Sequence, residues 1–113
     1  MITIWHNPRC SKSRQTLALL QKRGLNISVR RYLDDAPTDA EINSALDLLG
    51  LPARALIRSG EPAFRAQGLS TTDDQATLVA AMAATPKLIE RPVVFANGTA
   101  RLGRPPEAVL DIV

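Results

Sequence analysis

The sequence predicts an α/β fold built on one mixed sheet. Three observations carry that expectation. An apolar β-branched run, a helical run and a second alternating run follow one another over 2–33. Asn97-Gly98 sits between two short strand-like runs near the end of the chain. Residues 38–90, between these halves, read as helix throughout.

Taken in order, Ile2-Thr3-Ile4-Trp5 is short, β-branched and aromatic, the composition of a strand. Asn7-Pro8 breaks it. From Ser11 to Lys22, Leu17, Leu19 and Leu20 recur among polar residues at helical spacing, and Gly24 marks the stop. Ile27 to Leu33 alternates into a second strand. A strand–helix–strand of this length is a parallel βαβ unit with a right-handed crossover.

The middle changes character. Thr38-Asp39-Ala40-Glu41 is a capping box, with Thr38 as cap and Glu41 three residues on. Ile42, Ala45, Leu46 and Leu49 follow at helical spacing before Gly50. Pro52 opens a further helix through Arg58. Another begins near Thr72, with Thr72 and Gln75 as a second capping box, and carries Leu78, Val79 and Met82. Pro86 to Glu90 adds one more helical turn.

The end returns to strand. Pro92 to Ala96 and Thr99 to Leu102 flank Asn97-Gly98, the strongest short hairpin signal, because both turn residues need positive φ. Pro105-Pro106-Glu107 starts a final helix carrying Val109, Leu110 and Ile112. An N-terminal βαβ followed by a C-terminal ββα is the thioredoxin-like arrangement. The helices at about 38–90 are then an insertion, and 1–113 is a single domain.

Composition narrows the function. The chain has 113 residues, 45% of them hydrophobic but only 4% aromatic, so Leu, Ile, Val and Ala supply the core. No apolar run reaches the roughly 20 residues of a membrane span, and the N-terminus lacks the pattern of a signal peptide. One cysteine forms no internal disulfide, and a cytoplasmic protein is the expectation. The net charge of +3 lacks the dense basic run of a nucleic-acid arm. Eleven of the 14 cations are arginine. The guanidinium fork suits oxyanions, although surface arginine needs no ligand to explain it.

The only cysteine lies in His6-Asn7-Pro8-Arg9-Cys10-Ser11-Lys12-Ser13-Arg14, where the first strand hands over to the first helix. Backbone N–H groups at a helix start are unpaired and, with the helix dipole, favour negative charge. Such a position, or nearby cations, lowers a thiol pKa from about 8.5 to roughly 3.5–7.5. Arg9, Lys12 and Arg14 surround Cys10 in sequence, and Ser11 and Ser13 offer hydroxyl donors to a thiolate or a bound oxyanion. Buried free cysteines are often inert, but the polar neighbours of Cys10 argue for a nucleophile. Ser13 stands where a C-x-x-C pair has its second thiol, so any redox cycle takes that thiol from outside.

His6 either sits behind Cys10 and adjusts its pKa or is a hydrogen-bonded residue at a strand end. One His and one Cys lack companions at metal-ligand spacing, so no metal site is expected, nor is a glycine-rich phosphate loop present. Arg91-Pro92 opens the third strand. In a thioredoxin-like fold that proline is cis and its neighbour Arg91 points towards Cys10. Arg104 lies on the loop after the hairpin. Arg58 ends a helix of the insertion, where it either meets an anion or complements the helix dipole.

These residues resemble a known family, the glutaredoxin-coupled arsenate reductases, over essentially the whole chain. The resemblance rests on H-N-P-x-C-x-x-S-R (His6 to Arg14), R-A-L-I-R (Arg54 to Arg58), E-R-P-V-V (Glu90 to Val94) and R-L-G-R-P-P-E (Arg101 to Glu107), in that order. Arg9 before Cys10 and Ser11-Lys12 after it resemble a less characterised branch. The resemblance implies that Cys10 is the nucleophile and that Arg58, Arg91 and Arg104 surround the oxyanion. It also implies that Ser13 and Arg14 belong to the anion loop, that His6 supports the cysteine, and that Pro92 is the cis-proline.

The implied activity is reduction of arsenate to arsenite. Cys10 thiolate forms an adduct with arsenate, glutathione attacks it as co-substrate, and glutaredoxin resolves the resulting mixed disulfide. No bound cofactor, nucleic acid or membrane is implied. Two other readings compete. One is a glutathione-dependent thiol oxidoreductase acting on another oxyanion or a disulfide. The other is a regulatory RNA polymerase-binding adaptor of related fold, whose C-x-x-C switch is here replaced by Cys10…Ser13.

Overall fold

The computed structural model describes residues 2–113. They form two compact units, one of the residues up to Asp35 with Arg91–Val113, the other Ala36–Glu90.

The first unit holds β1 (Ile2–Trp5), α1 (Ser11–Lys22), β2 (Ile27–Arg30), β3 (Val93–Ala96) and β4 (Thr99–Leu102), followed by a 3₁₀ segment over Pro106–Asp111. The sheet order is β2-β1-β3-β4. β1 runs parallel to β2, with Ile4 opposite Val29, and antiparallel to β3, with Ile4 opposite Val94. β3 and β4 are antiparallel. This is the mixed α/β sheet that the element order predicts.

Alternation along β1 and β3 explains the core. Ile4 and Val94 are fully buried, and they pack with Ile2, Ala96, Leu20 of α1, and Val109 and Ile112 from the C-terminal end. Burying each such aliphatic side chain contributes about 1.5–3 kcal/mol. In the hairpin, Ala96 pairs with Thr99 and leaves a two-residue turn. Asn97 and Gly98 have φ of 53° and 74°, as that turn requires. The Asn97 side-chain amide donates to the Ile112 carbonyl at 2.7 Å and ties the turn to the C-terminus.

Two expectations for this unit need correction. The second strand stops at Arg30 instead of continuing to Leu33. β1 ends at Trp5, so residues beyond Arg30 have no ladder partner, and Asp34 and Asp35 turn back to donate to the Arg31 carbonyl. The final helix is 3₁₀, with Ala108 N–H reaching the Pro105 carbonyl at 3.0 Å.

The second unit is helical: α2 (Asp39–Leu49), α3 (Ala53–Leu56), α4 (Pro62–Ala66), α5 (Gln75–Ala84) and a 3₁₀ turn at Pro86–Leu88. The Thr38 capping box forms as predicted. Thr38 Oγ1 accepts from the Glu41 N–H at 3.1 Å, and Glu41 Oε1 accepts from the Thr38 N–H at 3.0 Å. Gly50 ends α2 with φ of 68°. Ile42 and Leu46 of α2 and Leu78 and Met82 of α5 are buried, and the two helices pack together.

Here too the sequence reading is corrected. The second capping box does not form. Asp74 is the cap, its carboxylate accepting from Thr77 N–H at 2.8 Å, while Gln75 Oε1 accepts from Ala53 N–H at 2.8 Å. α4 was not expected. The region is not wholly helical, because Ile57 and Ile89 form an antiparallel bridge, flanked by Arg58 N–H to Leu88 carbonyl and Glu90 N–H to Leu56 carbonyl.

Candidate active site

Strand β1 ends at Trp5, and the next five residues bring the chain to the start of α1. The turn is closed by Cys10 N–H donating to the Asn7 carbonyl at 3.0 Å, and Asn7 Oδ1 accepts from the Arg9 N–H at 3.0 Å. Cys10 is thereby the N-cap residue of α1, with extended backbone, and its carbonyl accepts the first helical bond from Arg14 N–H.

Cys10 is 7% exposed. Burial alone pushes its thiol pKa up. The Ser13 backbone N–H, the Arg91 guanidinium by hydrogen bonding and by charge, and the Lys12 N–H act the other way, and the net result lies below the ordinary thiol value. The resting side chain makes no capping bond. Deprotonation makes the sulfur an acceptor for donors already aimed at the helix start.

Behind the cysteine lies a buried polar network. His6 Nδ1 and Ser13 Oγ are 2.6 Å apart, and Ser13 Oγ also accepts from the Asn7 N–H at 3.0 Å. The pKa of His6 falls below its ordinary value through burial first, then through the Arg31 and Arg14 charges. The neutral ring is thereby favoured, and because Ser13 Oγ already accepts the Asn7 N–H, the arrangement that uses its own proton has Nδ1 accepting and Nε2 protonated. The Ser13 side chain, with no exposed surface, serves as internal scaffold, and only its backbone N–H faces the sulfur.

Arg91 and Pro92 reach this site from the start of β3, through a cis bond. A second cis bond, Arg104–Pro105, was not anticipated. Arg104 Nη1 donates to the Arg91 carbonyl at 3.1 Å, so the two arginines meet on the same side of the unit. Arg14 is exposed and donates to the Pro8 carbonyl at 2.9 Å, bracing the turn before Cys10. Arg58 belongs to the second unit. There its guanidinium pairs with Glu61 at 2.9 Å and donates to the Lys87 carbonyl at 3.2 Å.

Sequence reasoning missed Asn7, whose N–H and side chain shape the turn, and Gly103. A Cβ on Gly103 would lie 2.5 Å from Thr16 Oγ1 and 2.7 Å from Pro92 Cγ. Only a glycine lets this backbone lie between α1 and the cis-proline. Gly103 N–H also donates to the Pro92 carbonyl at 3.0 Å. In sequence the only signal is a glycine outside any turn pair, immediately before Arg104.

Comparison with known proteins gives the family. The ArsC family model matches residues 5–112. An arsenate reductase of Neisseria meningitidis is 44% identical over 110 residues, covering 96% of this chain and 94% of that protein. An uncharacterized protein of Escherichia coli is 46% identical over 114 residues, covering 99% and 96%. The solved structure of an arsenate reductase from Vibrio cholerae superimposes with a TM-score of 0.95 at 46% identity, covering 99% of this chain and 97% of that one. With a thiolate-favouring cysteine at the start of α1 and a family match along nearly its whole length, the chain belongs to the ArsC family of arsenate reductases.

Proposed function

We propose that the chain reduces arsenate to arsenite through Cys10, drawing electrons from glutathione and glutaredoxin. The observation that carries this reading is the set of donors around Cys10: the Ser13 and Lys12 N–H groups and the Arg91 guanidinium, which together favour the thiolate over the thiol. The Cys10 thiolate attacks arsenic and breaks the bond to one arsenate hydroxyl, which takes a further proton from solvent and leaves as water, giving a thiol–arsenate adduct. A glutathione thiolate then attacks the Cys10 sulfur. The new S–S bond forms as the S–As bond breaks, and its electron pair stays on arsenic, which leaves as arsenite. Glutaredoxin thiolate attacks the glutathione sulfur of the mixed disulfide and returns Cys10 as thiolate.

In this scheme Arg91 and Arg104 hold the oxyanion and balance its charge. Arg58, paired with Glu61 in the second unit, is a further candidate for anion binding. Arg14, Ser13 and His6 hold the anion loop in shape, and Pro92 orients Arg91. A cycle dependent on reducing small thiols fits a cytoplasmic protein, and the single cysteine fits a cycle whose other thiols are external.

The test is NADPH oxidation coupled through glutathione reductase, glutathione and glutaredoxin. Turnover should require arsenate, glutaredoxin and Cys10, and should vanish in Cys10→Ser. If wild type is silent with arsenate while Cys10 alkylates as a low-pKa thiol, the reductase reading fails. The search then moves to other oxyanions and disulfides.

A further inference from the structure

The turn that presents Cys10 also forms one wall of a separate cleft. About 220 Å³ in volume, it is lined by His6, Pro8 and Arg9 from that turn and by Arg31, Leu33 and Asp34 from the segment after β2. Cys10 is not part of its lining, but Arg9 is the residue directly before it.

The chemistry of the lining is specific. His6 is only 7% exposed and its Nδ1 is committed to Ser13 Oγ. With the ring neutral, Nε2 carries the proton and is the one polar atom of this buried side chain left for a ligand. Arg31 and Asp34 form an ion pair at 3.7 Å with side chains 63% and 75% exposed. A pair so long and so open contributes little to stability, and both groups remain accessible to a ligand. Leu33 is 42% exposed, an apolar side chain left uncovered between them.

Arg31 and His6 Nε2–H together suit a carboxylate, Asp34 suits an ammonium, and Leu33 suits the methylenes between. We infer that this cleft docks the charged end of a small peptide-like thiol, one bearing free carboxylate and amino groups, and so delivers its sulfur to Cys10. The inference rests on the thiol-dependent cycle proposed above. A tripeptide spans at most about 10 Å, so an anchor beside Arg9 leaves its central sulfur within reach of Cys10. An inorganic oxyanion offers the same charge to Arg31 but nothing to Asp34 or Leu33.

Thiol–disulfide exchange tests the cleft without arsenate. Cys10 thiolate attacks one sulfur of oxidised glutathione, forming the mixed disulfide and releasing one glutathione thiolate. Bis(2-hydroxyethyl) disulfide undergoes the same exchange without charged groups. The readout is the ratio of the two rate constants. Arg31→Ala should lower the preference for oxidised glutathione by about tenfold, the loss of one charge-assisted contact, and Arg31→Lys should keep most of it. Arg23→Ala removes the same charge about 18 Å away, at the far end of α1, and should change the ratio less than twofold. Inorganic phosphate should not compete.

An unchanged ratio in Arg31→Ala overturns the proposal. An equal loss in Arg23→Ala also overturns it, showing net-charge attraction only. Phosphate competition with the Arg31-dependent preference assigns the cleft to an inorganic anion instead. A chain that does not reduce arsenate yet loses the ratio in Arg31→Ala refutes the reductase reading and keeps the cleft. Arsenate reduction with an unaltered ratio does the reverse.

Discussion

His6 Nδ1 and Ser13 Oγ lie 2.6 Å apart in the interior of the site unit, and the same Ser13 oxygen accepts the Asn7 N–H. One hydroxyl thus joins the end of β1, the turn and the third residue of α1. It holds the Ser13 N–H where the Cys10 sulfur needs it.

Replacing that hydroxyl tests its scaffold role. Ser13→Ala leaves a buried imidazole nitrogen and the Asn7 N–H without partners, at a cost of about 1–3 kcal/mol. The expected outcome in thermal unfolding is a Tm lower by roughly 5 °C or more, with a raised Cys10 pKa. A hydroxyl that instead bound substrate directly would raise the arsenate KM and leave Tm alone.

Arg91 stabilises the thiolate by charge and by a hydrogen bond. In Arg91→Gln the pH profile of Cys10 alkylation by iodoacetamide should move to higher pH. Arg91→Lys keeps the charge but loses the planar fork. Its profile should fall between the other two, while its arsenate KM rises further than a point charge would predict.

Stability should depend on pH through two groups. The folded pKa of His6 is depressed below 6.5, by burial first. Its contribution is complete above 6.5 and is lost as the pH falls below that value, because the unfolded chain binds the proton more readily. Urea unfolding at pH 7, 6 and 5 should show a decline that His6→Asn flattens. Cys10 is also depressed, from an ordinary value of 9.0. Its thiolate contributes fully above 9.0 and progressively less as the pH falls towards the folded value. Cys10→Ser should therefore lose more stability relative to wild type at pH 9.5 than at pH 5.

Gly103 admits no side chain. Gly103→Ala forces a methyl group against Thr16 and Pro92 and should destabilise the chain by about 1–3 kcal/mol. Arg91 is attached to the displaced proline, so the Cys10 pKa should rise as well. Adding Thr16→Ala removes the 2.5 Å clash and should recover part of the loss. No recovery in calorimetry would place the damage elsewhere.

What could be read in the sequence follows the range of the interactions involved. The span of α1, the Asn97-Gly98 turn and the Thr38 cap are decided by neighbours within a few residues, and the sequence showed all three. The start of α5 was misplaced because Gln75 serves Ala53, 22 residues away, and not its own helix start. α4 escaped notice because five residues with one buried side chain, Phe64, carry no periodicity. At the site, the cysteine at a helix start was legible, as was the composition of its surroundings. The inward turn of the Ser13 hydroxyl was not, since it depends on where His6 ends up. Nor was Gly103, whose requirement comes from two segments that meet only in the folded chain.

The cysteine and the arginine that polarises it are made at different times. The ribosome synthesises Cys10 early and Arg91 only after the whole of Ala36–Glu90. A nascent chain that ends before Arg91 therefore lacks the guanidinium contribution to the Cys10 thiolate and keeps only that of the α1 start.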